Sequence, residues 1–163
     1  MLIVVDTNVL LVSVSPRSKY NWLYQLTISE KVEIAVTHDI LMEYEEQLSK
    51  HWSSVVAKNV VRSLLELPTL KHVSIFYNLR LIVADKDDDK FVDCAFAANA
   101  DYIITNDHHF DVLKTIGFPN IPTLKLDELR QFLLKNRHNI ALTLRQAQWY
   151  IDRQPPIRRF LIF

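Results

Sequence analysis

At 163 residues, with 49% hydrophobic and 23% charged side chains, the chain suits one domain able to bury a core without staples. Its 19 basic residues balance 19 acidic ones, so net charge selects no partner. A single glycine, Gly117, excludes glycine-rich phosphate loops, and a single cysteine, Cys94, excludes an internal disulfide and reads as a small buried side chain in a reducing compartment.

The opening MLIVVD has a six-residue stretch too short to export or span a membrane and lacks a charged n-region, so a cytoplasmic protein is expected. LIVV at 2–5 is a β-branched run suited to a strand covered on both faces, and DTNVLLVSV continues as a helix after the cap-like Asp6. Residues 18–29 form a second helical pattern with Ser18 as N-cap and Trp22, Leu23 and Leu26 on one face. EIAV at 33–36 is a second strand. Thr37 then caps a helix over HDILMEYEEQLSKH, with Ile40, Leu41, Tyr44 and Leu48 as its apolar stripe.

SSVVAKNVVRSLLEL at 53–67 repeats the helical period until Pro68, and HVSIF at 72–76 is a short strand or an extended connection. A helix runs from Asp88 through Asn99 on Phe91, Val92, Ala95 and Phe96. YIIT at 102–105 is a third clear strand, followed by a short helix from about His108 that Gly117 stops. IPTLK at 121–125 is a fourth strand, and Asp127 caps LDELRQFLLK. Alternating strands and helices predict an α/β domain with a mostly parallel sheet. Residues 135–163 carry six basic side chains against one acidic, and read as a helical extension packed on the domain or on a second subunit. Direct nucleic-acid contact through Arg145, Arg153, Arg158 and Arg159 is the sharper alternative.

In an open parallel sheet, ligands bind beyond the carboxyl ends of the strands. Asp6 ends the first strand and Asp107 follows the third clear one by two residues; Glu43 lies on the helix after the second, and Asp88 opens the helix before the third. If the strands are neighbours, four acids face one crevice. Each has a simpler role: Asp6 and Asp107 as helix caps, Glu43 as part of a solvated Glu43, Glu45, Glu46 face. The run Asp85, Asp87, Asp88, Asp89, Asp93 exceeds what a helix N-terminus needs, where each carboxylate contributes about 0.3–1 kcal/mol. It is not an EF-hand loop, because Lys90 and Phe96 stand where glycine and glutamate are required. Converging carboxylates repel unless a cation neutralises them, and an oxygen-rich set suits Mg²⁺ or Mn²⁺. Such ions serve phosphoryl chemistry, so the pattern points to a nuclease-type site. His108 and His109, adjacent and about 100° apart on a helix, read as surface residues, with phosphate contact as the lesser alternative. Lys86 and Lys90 are the nearest basic residues in sequence.

VVDTNVLLVS, VTHDILMEYEEQL, ADKDDDKFVDCAFAANADYIITNDHHF and IPTLKLDELRQFL together resemble the PIN-domain family, and within it the VapC-like toxin components of toxin–antitoxin systems. The resemblance spans residues 2 to about 134. It implies a three-layer α/β/α sandwich and a metal-dependent ribonuclease using Mg²⁺ or Mn²⁺, with a metal-activated water hydrolysing RNA. Its acidic quartet falls on Asp6, Glu43, Asp88 and Asp107, with Asp93 as a candidate further metal contact. Thr7, Asn8 and Thr105 match supporting polar positions. Lys86, Asp89, Asp93 and Asn106 depart from the branch's proline, asparagine, glutamate and small residue, and Asp89 leaves the register of the third acid open. The resemblance also implies a small antitoxin partner and a homodimer. The alternative reading is a PIN-fold RNA- or protein-binding module with latent or lost activity. The domain expected is 1–134, with 135–163 as the extension.

Overall fold

The computed structural model describes residues 1–136; the basic stretch 137–163, with its expected helix and arginines, lies outside them. Five strands alternate with six α-helices: β1 (Leu2–Val5), α1 (Thr7–Val14), α2 (Asn21–Ile28), β2 (Glu33–Val36), α3 (His38–His51), α4 (Ser54–Leu65), β3 (Leu70–His72), α5 (Asp89–Ala98), β4 (Tyr102–Ile104), β5 (Thr123–Leu124) and α6 (Leu126–Lys135). Two 3₁₀ segments, Lys86–Asp88 and His108–Thr115, flank α5 and β4. All strand pairs are parallel and the order is β3-β2-β1-β4-β5. The architecture is the expected α/β/α sandwich.

The chain starts in the middle of this sheet, builds outward through β2 and β3, then returns to the other side of β1 to lay down β4 and β5. The order therefore reverses between β1 and β4, and a crevice opens beyond their carboxyl ends. Ile3, Val4, Val5, Ile34, Ala35, Val36, Ile103 and Ile104 are buried, as strands covered on both faces require. Helix α5 lies against β1, β2 and β4, and presents Phe91, Val92, Cys94, Ala95 and Ala98 to the core. Burial pushes the Cys94 thiol up to about 12, which leaves it an inert packing group.

The expected α3 stripe is fully realised: Ile40, Leu41, Tyr44 and Leu48 are all buried, and Thr37 caps the helix by accepting a hydrogen bond from the Ile40 amide at 3.2 Å. Tyr44 carries its hydroxyl into the core, where it donates to the Val5 carbonyl. That bond ties the turn of α3 bearing Glu43 to the last residue of β1.

Four local expectations shift. β3 is Leu70–His72, and 73–76 take the extended-connection alternative, because β3 is an edge strand whose pairing ends with β2 at Val36↔His72 and the chain then leaves the sheet. Helix α2 starts at Asn21; Ser18 Oγ instead accepts from the Tyr20 amide at 3.1 Å, closing a local turn. Gly117 stops no helix: the 3₁₀ segment ends at Thr115 with Ile116 extended as its cap, and Gly117 has no left-handed φ. Helix α6 starts after Lys125, whose amide donates to Glu128 Oε2 at 2.8 Å, so Asp127 sits within the first turn rather than capping it.

Candidate functional site

Asp6 follows β1 directly and is buried at 3% exposure. Its amide donates to the Ile104 carbonyl of β4 at 3.0 Å. Oδ1 accepts from the Asn8 amide at 3.1 Å, so Asp6 does cap α1. Oδ2 accepts from Thr105 Oγ1 at 2.8 Å. Thr105 in turn accepts from the Asp107 amide at 3.0 Å, so one hydroxyl orders the acids that follow β1 and β4. Burial pushes the Asp6 carboxyl above its ordinary range; the bonds from Thr105 and Asn8 oppose this, and the charges of Asp107 and Glu43 add to it.

Glu43 is brought to the same crevice by the Tyr44 anchor, and its charge is felt at Asp6. Its Oε2 makes an ion pair with Lys90 Nζ. Thr7 Oγ1, one residue past Asp6, is buried without a hydrogen-bond partner. Buried polar atoms are almost always satisfied, so this free hydroxyl beside converging carboxylates fits a group that accepts oxygen ligands.

Asp88 closes the 3₁₀ turn before α5, and its Oδ2 lies 3.3 Å from His109 Nδ1. Its carboxyl is pushed up to about 6, chiefly by burial and next by Asp85; the His109 bond opposes the shift, while Asp6 and Asp107 add to it. Asp107 Oδ1 accepts from the His109 amide at 2.9 Å and lies 3.5 Å from that ring's Nδ1. The His109 ring thus sits between Asp88 and Asp107. Within 4.8 Å of one another are ligand atoms of Asp85, Asp88 and His109, and those of Asp107, His108 and His109. Asp6, Glu43, Asp88 and Asp107 are coupled through their charges, but no three of them place ligand atoms that close among the described residues.

Asp89 and Asp93 turn elsewhere. Asp89 Oδ1 accepts from the Ile82 amide at 2.9 Å, and Asp93 Oδ1 from the Leu79 amide at 2.8 Å. Both hold the loop before the 3₁₀ turn, so Asp88, with Asp85 beside it, is the acid of this run that lies against His109, and Asp93 makes its hydrogen bond to the loop instead. Asn106, in place of the small residue expected there, accepts from the Leu126 amide at 3.2 Å and fastens the loop after β4 to α6. Sequence reasoning set His109 aside as a surface residue. The usable signal was the D-x-H spacing, which lets an aspartate cap bring the residue two further on beside itself.

A parallel α/β sheet with carboxylates gathered at its switch point defines a class of protein suited to polar, cation-assisted chemistry at that edge. The chain belongs to the PIN domain family, whose model matches residues 2–109. Among solved structures, it resembles the crystal structure of VapBC2 from Rickettsia felis bound to a DNA fragment from their promoter, with a TM-score of 0.55 and 21% identity, over 77% of this chain and 98% of that one. No curated protein matches the chain.

Proposed function

We propose that this protein is a metal-dependent endoribonuclease that hydrolyses RNA phosphodiester bonds, and the toxin component of a toxin–antitoxin pair. Membership of a nuclease family sets the class. The observation that carries the reading is the convergence of Asp6, Glu43, Asp88 and Asp107 on the β1–β4 switch point. The likeness to a VapBC complex supports an antitoxin partner, and a homodimer fits the same reading. Residues 1–134 form the nuclease unit in this view, with 135–163 as a basic extension.

Asp6, Glu43, Asp88 and Asp107 would hold Mg²⁺ or Mn²⁺, and the oxygen-rich donor set with the unpartnered buried Thr7 hydroxyl beside it fits such an ion. When bound, a divalent cation supplies charge neutralisation at the scissile phosphate and a more acidic attacking water. The protein's own residues do the rest. Thr105 fixes the Asp6 carboxylate and the Asp107 backbone, the Asn8 amide holds the other Asp6 oxygen, and Thr7 offers an unused hydroxyl. Lys90 places positive charge beside Glu43, which tempers repulsion between the acids and the approaching phosphate, and the His109 ring stands between Asp88 and Asp107.

The test is cleavage of single-stranded RNA by wild type and Asp6→Asn with Mg²⁺, Mn²⁺ or excess chelator. Cleavage that needs the ion and Asp6 supports the reading. Full activity in chelator or in the variant sinks it. Absence of both cleavage and a Mn²⁺-induced melting shift favours a binding module that has lost its activity.

A further inference from the structure

Between β3 and the 3₁₀ turn, residues 73–85 cross the molecule without regular secondary structure. Two amides in this loop are gripped by α5: Leu79 N–H by Asp93 and Ile82 N–H by Asp89. These bonds bracket Arg80, a non-glycine residue at φ 54°, in the left-handed region that side chains disfavour. Just upstream, the Tyr77 ring packs edge-on against Phe96 of α5 at 5.9 Å. Backbone strain of this kind persists only where the surroundings enforce it, and such places cluster at ligand sites.

The pinned loop and α5 border a half-open cavity of about 530 Å³, within the range of small-molecule sites. Its basic lining is Arg80, Lys86 and Lys90; Val83 supplies exposed apolar surface over the buried Ile82, and Asp89 and Asp93 stand on the α5 side with one oxygen each given to the loop. Lys90 also contacts Glu43, so the cavity adjoins the acidic crevice. A basic rim beside an apolar wall suits a phosphate joined to a flat base, and a concave site admits a base only when it is unpaired.

We propose that this cavity is the subsite for an unpaired nucleotide of the RNA next to the scissile phosphate, its phosphate met by Arg80 and Lys86 and its base set against Val83. The assignment rests on the ribonuclease reading above. The loop's two carboxylate grips make it preorganised, and the left-handed Arg80 is the consequence.

The experiment compares wild type with Lys86→Gln and with Arg80→Asn/Lys86→Gln, asparagine being tolerant of the left-handed backbone. Three readouts are taken: steady-state cleavage of a single-stranded RNA, its salt dependence, and hydrolysis of the small diester bis(p-nitrophenyl) phosphate. The double variant is expected to raise KM for RNA roughly tenfold, the loss of about 1.4 kcal/mol of binding. Its log KM should depend less steeply on log salt, by about 0.7 per lost phosphate contact. Hydrolysis of the small diester should stay unchanged, which also shows an intact fold. An unchanged RNA KM and salt slope in a wild-type-like fold overturn the subsite while leaving the nuclease reading in place. Equal loss on both substrates overturns it too, by placing Arg80 and Lys86 in the reacting site. Should the double variant fail to fold, Lys86→Gln alone decides, with half the change in slope expected. Absence of RNA cleavage by wild type fails both readings, a result distinct from the first two.

Discussion

Thr105 Oγ1 donates to Asp6 Oδ2 at 2.8 Å across 99 residues of sequence, joining the carboxyl ends of β1 and β4 where the strand order reverses. Because the same hydroxyl accepts the Asp107 amide, it sets two acids at once. Groups that orient metal-binding side chains typically contribute 10- to 100-fold to metal affinity or activity. Thr105→Val should therefore lower RNA cleavage by about 10- to 100-fold, while Thr105→Ser, which keeps the hydroxyl, should retain most of it. Titration of Mn²⁺ by melting shift should follow the same order. Equal activity of the valine and serine forms would remove Thr105 from the site.

The aspartate run separates by what each carboxylate touches. Asp88→Asn should abolish the Mn²⁺ response and cleavage, with the metal-free protein at pH 7.5 as stable as wild type or more so, because it removes a charge that burial and Asp85 disfavour. Asp89→Ala and Asp93→Ala should act on the fold instead. Each strips a loop amide of its acceptor, at a cost of about 1–3 kcal/mol read from the urea midpoint. An Asp88→Asn protein that still binds Mn²⁺ would contradict this division.

The raised Asp88 carboxyl also gives a pH signature. Its folded value of about 6 lies above the ordinary 3.8, so the native state binds this proton more tightly than the unfolded chain does. Asp88 thus favours the fold below about pH 4, and that contribution is lost as pH rises through about 6. Metal binding requires the ionised form. The melting shift produced by a fixed Mn²⁺ concentration should therefore be large at pH 7.5 and small at pH 5. A shift independent of pH over this range would place the ion elsewhere.

Tyr44 offers a test of how Glu43 is positioned. Tyr44→Phe keeps the ring in the core but frees the Val5 carbonyl, at a cost of about 1–3 kcal/mol of stability by chemical denaturation. Cleavage should fall as well, since Glu43 loses the tether of its own turn to β1. A fall in stability without any fall in activity would show that Glu43 is held by other means.

The sequence alone determined the alternation of strands and helices, the Asp6 cap, the α3 stripe and the burial of Cys94, because these follow from local period and from the chemistry of single side chains. It also supplied the four acids, three beside the end of a strand or the start of a helix and Glu43 within the helix that follows the second strand. The strand order belongs to the tertiary structure: only the placement of β4 beside β1 turns Asp6 and Asp107 into neighbours. The choice among Asp88, Asp89 and Asp93 belongs there too. Successive helical residues point about 100° apart, so their directions are fixed only when the face bearing Phe91, Val92 and Ala95 docks on the sheet. That docking turns Asp88 to the crevice and gives Asp89 and Asp93 to the loop amides. It sets Lys90 against Glu43, and the 21-residue separation between Asp88 and His109 closes to a 3.3 Å contact that no pattern in the chain displays.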